Sequence, residues 1–175
     1  MAFSDRDIKN ALRRGIMRIE PLVTAGEDSQ IGSASVDLTL SNEWWFFKRE
    51  YLGKQVDLSK VGFEKAMERT VAQSVVLPPG GMCLGKTIEK ITLPANIIGK
   101  LEGRSRYARM GLSVHITSAV VQPGSDNHQV LEIVNFAPFS IVLHKGMRIS
   151  QVIFHRMESE SSKPYAKFGK IARKQ

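Results

Sequence analysis

The sequence predicts a mostly β chain folded as a barrel or sandwich, and three observations support this. Short apolar runs recur from Val75 to Phe154, split by turn signals such as Pro78-Pro79-Gly80-Gly81, Pro123-Gly124 and His144-Lys145-Gly146. From Ala34 to Leu40, apolar and polar residues alternate strictly, the period of a half-buried strand. Clear helical spacing is limited to the N-terminus. At 175 residues and 42% hydrophobic content, the chain can bury one core, and two comfortable domains would need more.

Ser4, with Asp7 three residues later, has the form of a capping box. Ile8, Ala11 and Leu12 then mark one face of a short helix that stops at Gly15. In the alternating strand, Ala34, Val36, Leu38 and Leu40 share one side and Ser35, Asp37 and Thr39 the other. Trp44, Trp45, Phe46 and Phe47 form an aromatic strand or strand end and are assigned to the core. Residues 62–73 read as either a short helix or an excursion between strands. Strands are predicted over 75–77, 82–91, 97–101, 112–121, 129–134, 139–143 and 147–154. This gives one β domain over 1–158 and a flexible basic tail over 159–175, hinged at Ser159–Ser162.

The formal net charge of +8 points to a polyanionic partner, and Lys163, Lys167, Lys170, Arg173 and Lys174 all follow the last acidic residue, Glu160. Such a tail is either a solvated terminus or a flap that closes over phosphates. Nucleic acid is the weaker reading, because no helix-turn-helix, zinc-finger or aromatic RNA-binding pattern accompanies the charge. The single Cys83 rules out an internal disulfide and a paired-cysteine metal site, which fits a reducing, cytoplasmic setting. The N-terminus has no apolar signal core, and every apolar run falls far short of the roughly 18 residues a membrane span needs. A soluble protein without a membrane partner is expected.

Chemistry concentrates in two places. In Gly103-Arg104-Ser105-Arg106, the glycine can open a short helix whose free N–H groups, serine hydroxyl and guanidinium groups suit phosphate oxygens. In Gln129-Val130-Leu131-Glu132-Ile133-Val134, period two puts Glu132 on the face of Val130 and Val134. Partial desolvation there is expected to raise its pKa into the range of a proton-shuttling base, unless Glu132 simply pairs with an arginine such as Arg109. His115 reads as a hydrogen-bonded structural histidine on a strand face with Ser113 and Thr117, with no acid near it in sequence. His128 and His144 read as solvent-facing turn residues, Asp126 as a turn former and Arg148 as framing the last strand.

The run Gly103 to His115, together with Pro123-Gly124, Leu131-Glu132-Ile133 and Gly146-Met147-Arg148-Ile149-Ser150-Gln151, resembles the dCTP deaminase branch of the trimeric dUTPase superfamily. The likeness continues upstream through Ser4-Asp5-Arg6-Asp7-Ile8, residues 31–38 and Leu77-Pro78-Pro79-Gly80. It implies a distorted dUTPase-like β-barrel, or β-clip, with a short N-terminal helix and a short helix at the phosphate motif. It also implies a homotrimer with sites at subunit interfaces, and hydrolysis of dCTP to dUTP and ammonia without zinc. Glu132 then matches the glutamate that activates water, and Ser105 and Arg109 match residues that order water, base and glutamate. Arg104, Ser105, Arg106, Gln122, Tyr165 and Lys167 fall on substrate and phosphate contacts, with Mg²⁺ accompanying the triphosphate.

Several positions depart from the family pattern. Gln122 stands for an aspartate and Ser125 for an aromatic residue that help seat the deoxyribose, Ser118 stands where many members have alanine, and the tail around Tyr165 is compressed. The alternatives are dUTP pyrophosphatase or a bifunctional deaminase and pyrophosphatase, and a non-catalytic nucleotide-binding regulator.

Overall fold

The computed structural model describes residues 1–168, so Lys170, Arg173 and Lys174 of the predicted tail lie outside the described residues. The elements run α1 (Asp5–Arg13), β1 (Arg18–Glu20), β2 (Val36–Phe47), α2 (Phe63–Ala66), β3 (Met67–Val71), β4 (Ser74–Leu77), β5 (Met82–Thr92) and β6 (Ile97–Gly103). They continue with α3 (Ser105–Ala108), β7 (Leu112–Val114), β8 (Val120–Val121), β9 (Asp126–Asn135), β10 (Ile141–His144), β11 (Arg148–Arg156) and α4 (Tyr165–Phe168). Strands dominate, as predicted, and short helices stand at the N-terminus and at the phosphate motif.

The Ser4 capping box forms. Asp7 donates its backbone N–H to the Ser4 hydroxyl at 3.3 Å and accepts from the Ser4 backbone at 2.9 Å, and α1 buries Ile8 and Ala11. The alternating strand and the aromatic run join as the single strand β2. Its first half pairs antiparallel with β11 and its second half with β5 and β3. One sheet therefore runs β7-β9-β5-β2-β11-β6-β8, with β1 on β5 and β3 on β2, while β4 and β10 form a separate ribbon.

The hand-over along β2 divides the core. Val36 and Leu38 pack with Ile8, Met17, Ile91, Leu101, Val152 and Phe154, whereas Leu40 and Trp44 pack with Leu77, Cys83, Leu131, Ile133, Leu143 and Ile149. Among the described residues one acidic side chain is buried between the elements. Glu89 is 2% exposed and accepts from Gln30 Nε2 at 2.7 Å and the Thr39 backbone N–H at 2.8 Å, so its desolvation is offset by hydrogen bonds.

Two segments differ from expectation. Residues 62–73 are both things in turn, the helical turn α2 followed by β3. The predicted strand over 112–121 is broken into β7 and β8, because His115 takes φ +56°, a left-handed conformation that no strand continues through. Just before β7, Gly111 (φ +84°) lies so close to Ala137 that an added Cβ would sit 2.7 Å from its backbone nitrogen. Gly111→Ala is expected to cost about 1–3 kcal/mol of stability. A lowered urea midpoint at unchanged m-value checks this.

Candidate active site

Antiparallel register brings the acid and the histidine together. β7 pairs with β9 through Leu112↔Asn135, Ser113↔Val134 and Val114↔Ile133, and one step further the His115 backbone N–H donates to the Glu132 carbonyl at 2.9 Å. The side chains then meet, with His115 Nδ1 2.8 Å from Glu132 Oε2, and Ser118 Oγ–H donates to Glu132 Oε1 at 2.6 Å. His115 is thus the carboxylate's neighbour, although no acid lies near it in sequence. Burial pushes the Glu132 carboxyl up, but the hydrogen bonds from His115 and Ser118 outweigh it and hold the carboxyl below the ordinary glutamate value. The expected upward shift is therefore corrected: Glu132 stands ionised at neutral pH, ready to accept a proton. Among the described residues its side-chain partners are His115 and Ser118, and not Arg109 or another arginine.

Glu132 opens into a cavity of about 980 Å³. Gln122, Ser125, Asn127, His128 and Tyr165 are among the residues that line it. Ser125 is buried and donates to the Gln122 carbonyl at 2.7 Å, which fixes the turn that presents Gln122. α4 docks on the same turn, with the backbone N–H groups of Tyr165 and Ala166 donating to the Pro123 and Gly124 carbonyls at 2.9 and 3.1 Å. Only glycine fits there, because a Cβ at Gly124 (φ +77°) would meet Pro164 at 2.6 Å. Tyr165 thereby reaches the cavity, while Lys167 is exposed and does not line it.

Trp45, Phe47, Phe63 and Met67 line the cavity as well, with Glu43 bridging Arg69 at 2.8 Å and Lys86 at 3.1 Å. Here the core assignment of the aromatic run is corrected in part. Trp44 is fully buried with its indole N–H on the Ala72 carbonyl, but period two turns Trp45 and Phe47 to the cavity. His128 and Asp126 are likewise strand residues of β9 and not turn residues. His128 lines the cavity with its Nδ1 buried and without a partner among the described residues, and Asp126 bonds Lys90 at 2.9 Å and Thr92 at 2.7 Å. His144 is exposed, as expected, but ends strand β10 instead of lying in the turn.

The phosphate motif lies apart. Arg104 donates to the Arg148 carbonyl at 3.1 Å and bridges Asp37 at 3.0 Å, where burial pushes the Asp37 carboxyl up against the pull of Arg104 and Arg148. Ser105 and Arg109 are exposed with no side-chain partner among the described residues, and the Arg106 guanidinium sits over the Tyr107 ring at 5.1 Å. None of Arg104, Ser105, Arg106 and Arg109 lines the cavity that holds Glu132. Within one chain the predicted residues therefore form two groups, Glu132 with Gln122 and Tyr165 in the cavity, and the α3 cations outside it.

Other chemistry is limited. Burial pushes the Cys83 thiol up to about 12, which makes it a poor nucleophile. Among the described residues no group of three or more His, Cys, Asp or Glu is placed to hold a metal ion, and no helix is long and apolar enough to cross a membrane. His115 and Ser118 were missing from the sequence-predicted site. The signal for His115 was the register of β7 against β9, which becomes visible only once those strands are known to pair, whereas Ser118 lies in the irregular link between β7 and β8 and no local pattern marked it.

Comparison with known proteins identifies the family. A family model described as dCTP deaminase-like matches residues 2–157. A dCTP deaminase from Rhodospirillum rubrum is 37% identical over 95% of this chain and 88% of its own length. A dUMP-forming dCTP deaminase from Methanopyrus kandleri is 38% identical over 93% of this chain and 86% of its own. In structure, a 2'-deoxycytidine 5'-triphosphate deaminase from Agrobacterium tumefaciens superposes with a TM-score of 0.67 at 21% identity, over 89% of this chain. This chain spans about half of that protein, 48% of its length. A dUTPase from phage phi11 of S. aureus shares the fold with a TM-score of 0.53 at 12% identity, over 87% of this chain and 98% of its own. The chain belongs to the dCTP deaminase-like family, with the dUTPase-like β fold.

Proposed function

We propose that this chain is a dCTP deaminase. The observation that carries the reading is an ionised glutamate, Glu132, bonded on both oxygens in a cavity large enough for a nucleotide. Glu132 takes a proton from water as the water oxygen bonds to C4 of cytosine, and passes that proton to ring N3. It then takes the proton of the new C4 hydroxyl and hands it to the exocyclic amine. The C4–N bond breaks, ammonia leaves and the C4 carbonyl of dUTP forms.

The α3 cations suit the triphosphate but stand outside Glu132's cavity. A homotrimer in which one copy's Ser105 and Arg109 face another copy's Glu132 completes the site. Mg²⁺ travels with the triphosphate, held by the nucleotide's own oxygens, and no step runs through it. The setting is a reducing cytoplasm, in keeping with a lone cysteine.

The product is dUTP. Relatives named dCTP deaminase and dUMP-forming dCTP deaminase match about equally well, and Gln122, where the superfamily's pyrophosphatases resemble one another in carrying an aspartate, favours the first reading. Glutamine cannot serve as a base toward a water at the α-phosphate. Incubation with dCTP or dUTP and Mg²⁺, with ammonia and pyrophosphate measured separately, tests this. Ammonia from dCTP without pyrophosphate supports the deaminase. Pyrophosphate from dUTP supports the pyrophosphatase or bifunctional enzyme, and binding without either product supports a regulator.

The tail gives a further prediction. Truncation before Lys163 removes Tyr165 from the cavity and Lys167 from its approach but leaves both cores intact. The protein should still fold, with KM for dCTP raised and kcat lowered at saturation through lost closure. Unchanged kinetics would return the tail to a solvated terminus.

A further inference from the structure

The surroundings of Glu132 hold more than a catalytic carboxylate. His115 is held in a left-handed conformation (φ +56°) that side chains other than glycine rarely adopt, and such strain persists only where its surroundings enforce it. Its imidazole is 3% exposed, and Nε2 is buried with no partner among the described residues, so its single side-chain hydrogen bond goes to Glu132. An ionised carboxylate only accepts, which places the shared proton on Nδ1. On the other oxygen, Ser118 comes from the irregular link between β7 and β8.

We propose that His115 and Ser118 are positioning residues that clamp the Glu132 carboxylate, one donor on each oxygen, and leave a second acceptor site on each oxygen for the reacting water. The clamp rests on the deaminase reading above for its consequence, though not for its geometry. It fixes the plane of the carboxylate before substrate arrives, so no reorganisation is needed as the proton moves. Among the described residues, the other titratable groups lining the cavity are Glu43 on β2, Glu64 on α2, Lys86 on β5, His128 on β9 and Tyr165 on α4. Of these and His115, only His115 bonds Glu132.

The sign is fixed by which form the donors favour. Both stabilise the charged carboxylate, so losing one favours the protonated form and moves the acid limb of activity to higher pH. Ser118→Ala, at an exposed position, is expected to lose about tenfold in kcat on the acid side while approaching wild type on the alkaline plateau. His115→Ala is expected to lose kcat across the whole range with KM little changed. His115→Asn, whose amide can donate in the same direction and which tolerates positive φ, should recover most of that loss.

The decisive readout is the titration of the Glu132 side-chain carboxyl by NMR in ¹³C-labelled protein, its resonance identified by its loss in Glu132→Gln. An upward move of the midpoint in Ser118→Ala supports the clamp even if dCTP is not turned over. If Ser118→Ala shifts neither this titration nor the acid limb, the clamp is overturned and the deaminase reading stands. A protein that releases no ammonia yet shows the shifted titration overturns the deaminase reading and leaves the clamp.

Discussion

Glu132→Gln is expected to lower ammonia release from dCTP by about 10²–10⁴-fold, the usual worth of a general acid-base group, and by more if the amide also misplaces the water. The amide keeps the shape of the carboxylate but takes up no proton. Ser118 can still donate to the amide oxygen, while the contact to His115 depends on which way the amide faces. Folding should survive, because the Glu132 side chain is 24% exposed and lies at the edge of the cavity, not in either core. Nucleotide affinity should change little. Near-normal turnover in this variant would remove Glu132 from the mechanism.

Arg109→Ala is the second large effect expected. The side chain is exposed and has no described partner, so its removal should change stability by no more than about 0.5 kcal/mol. If Arg109 meets the substrate and Glu132 of another copy, kcat should fall by about 10²–10³-fold, the loss typical of one positioned donor to developing charge. Arg104 is a less clean probe, since its guanidinium already bridges half-buried Asp37 and its loss would strand that carboxylate. A fully active Arg109→Ala protein of wild-type stability would confine the chemistry to the cavity of one chain.

Much of the fold was legible from local pattern. The capping box at Ser4, the alternation through Leu40 and the turn signals between later runs gave α1, most strands and the mostly β class, because each depends on residues close in sequence. What local pattern missed came from pairing. Trp45 and Phe47 alternate with buried Trp44, and only the pairing of β2 with β5, and of β5 with β9, shows that their face of the sheet meets a cavity instead of the core. Strand propensity over 112–121 gave no sign that His115 would turn left-handed.

The site divided the same way. Glu132 stood out as a carboxylate among apolar residues. Its proton affinity was misjudged, because desolvation follows from an apolar strand whereas the two donors come from strand register for His115 and from the link between β7 and β8 for Ser118. The α3 cations were visible as a motif, yet no property of one chain's sequence tells that they lie outside the cavity they were expected to serve.

The most direct measurement mixes two disabled proteins. Glu132→Gln keeps Arg109, and Arg109→Ala keeps Glu132, so an interface in a mixed oligomer can unite the two intact contributions. Co-assembled from denaturant and verified as mixed by native mass spectrometry, the pair is predicted to recover on the order of one quarter of wild-type ammonia release, the statistical share of such interfaces in a closed ring. Mixed oligomers that stay as inactive as either parent would contradict a site built from Glu132 of one copy and Arg109 of another.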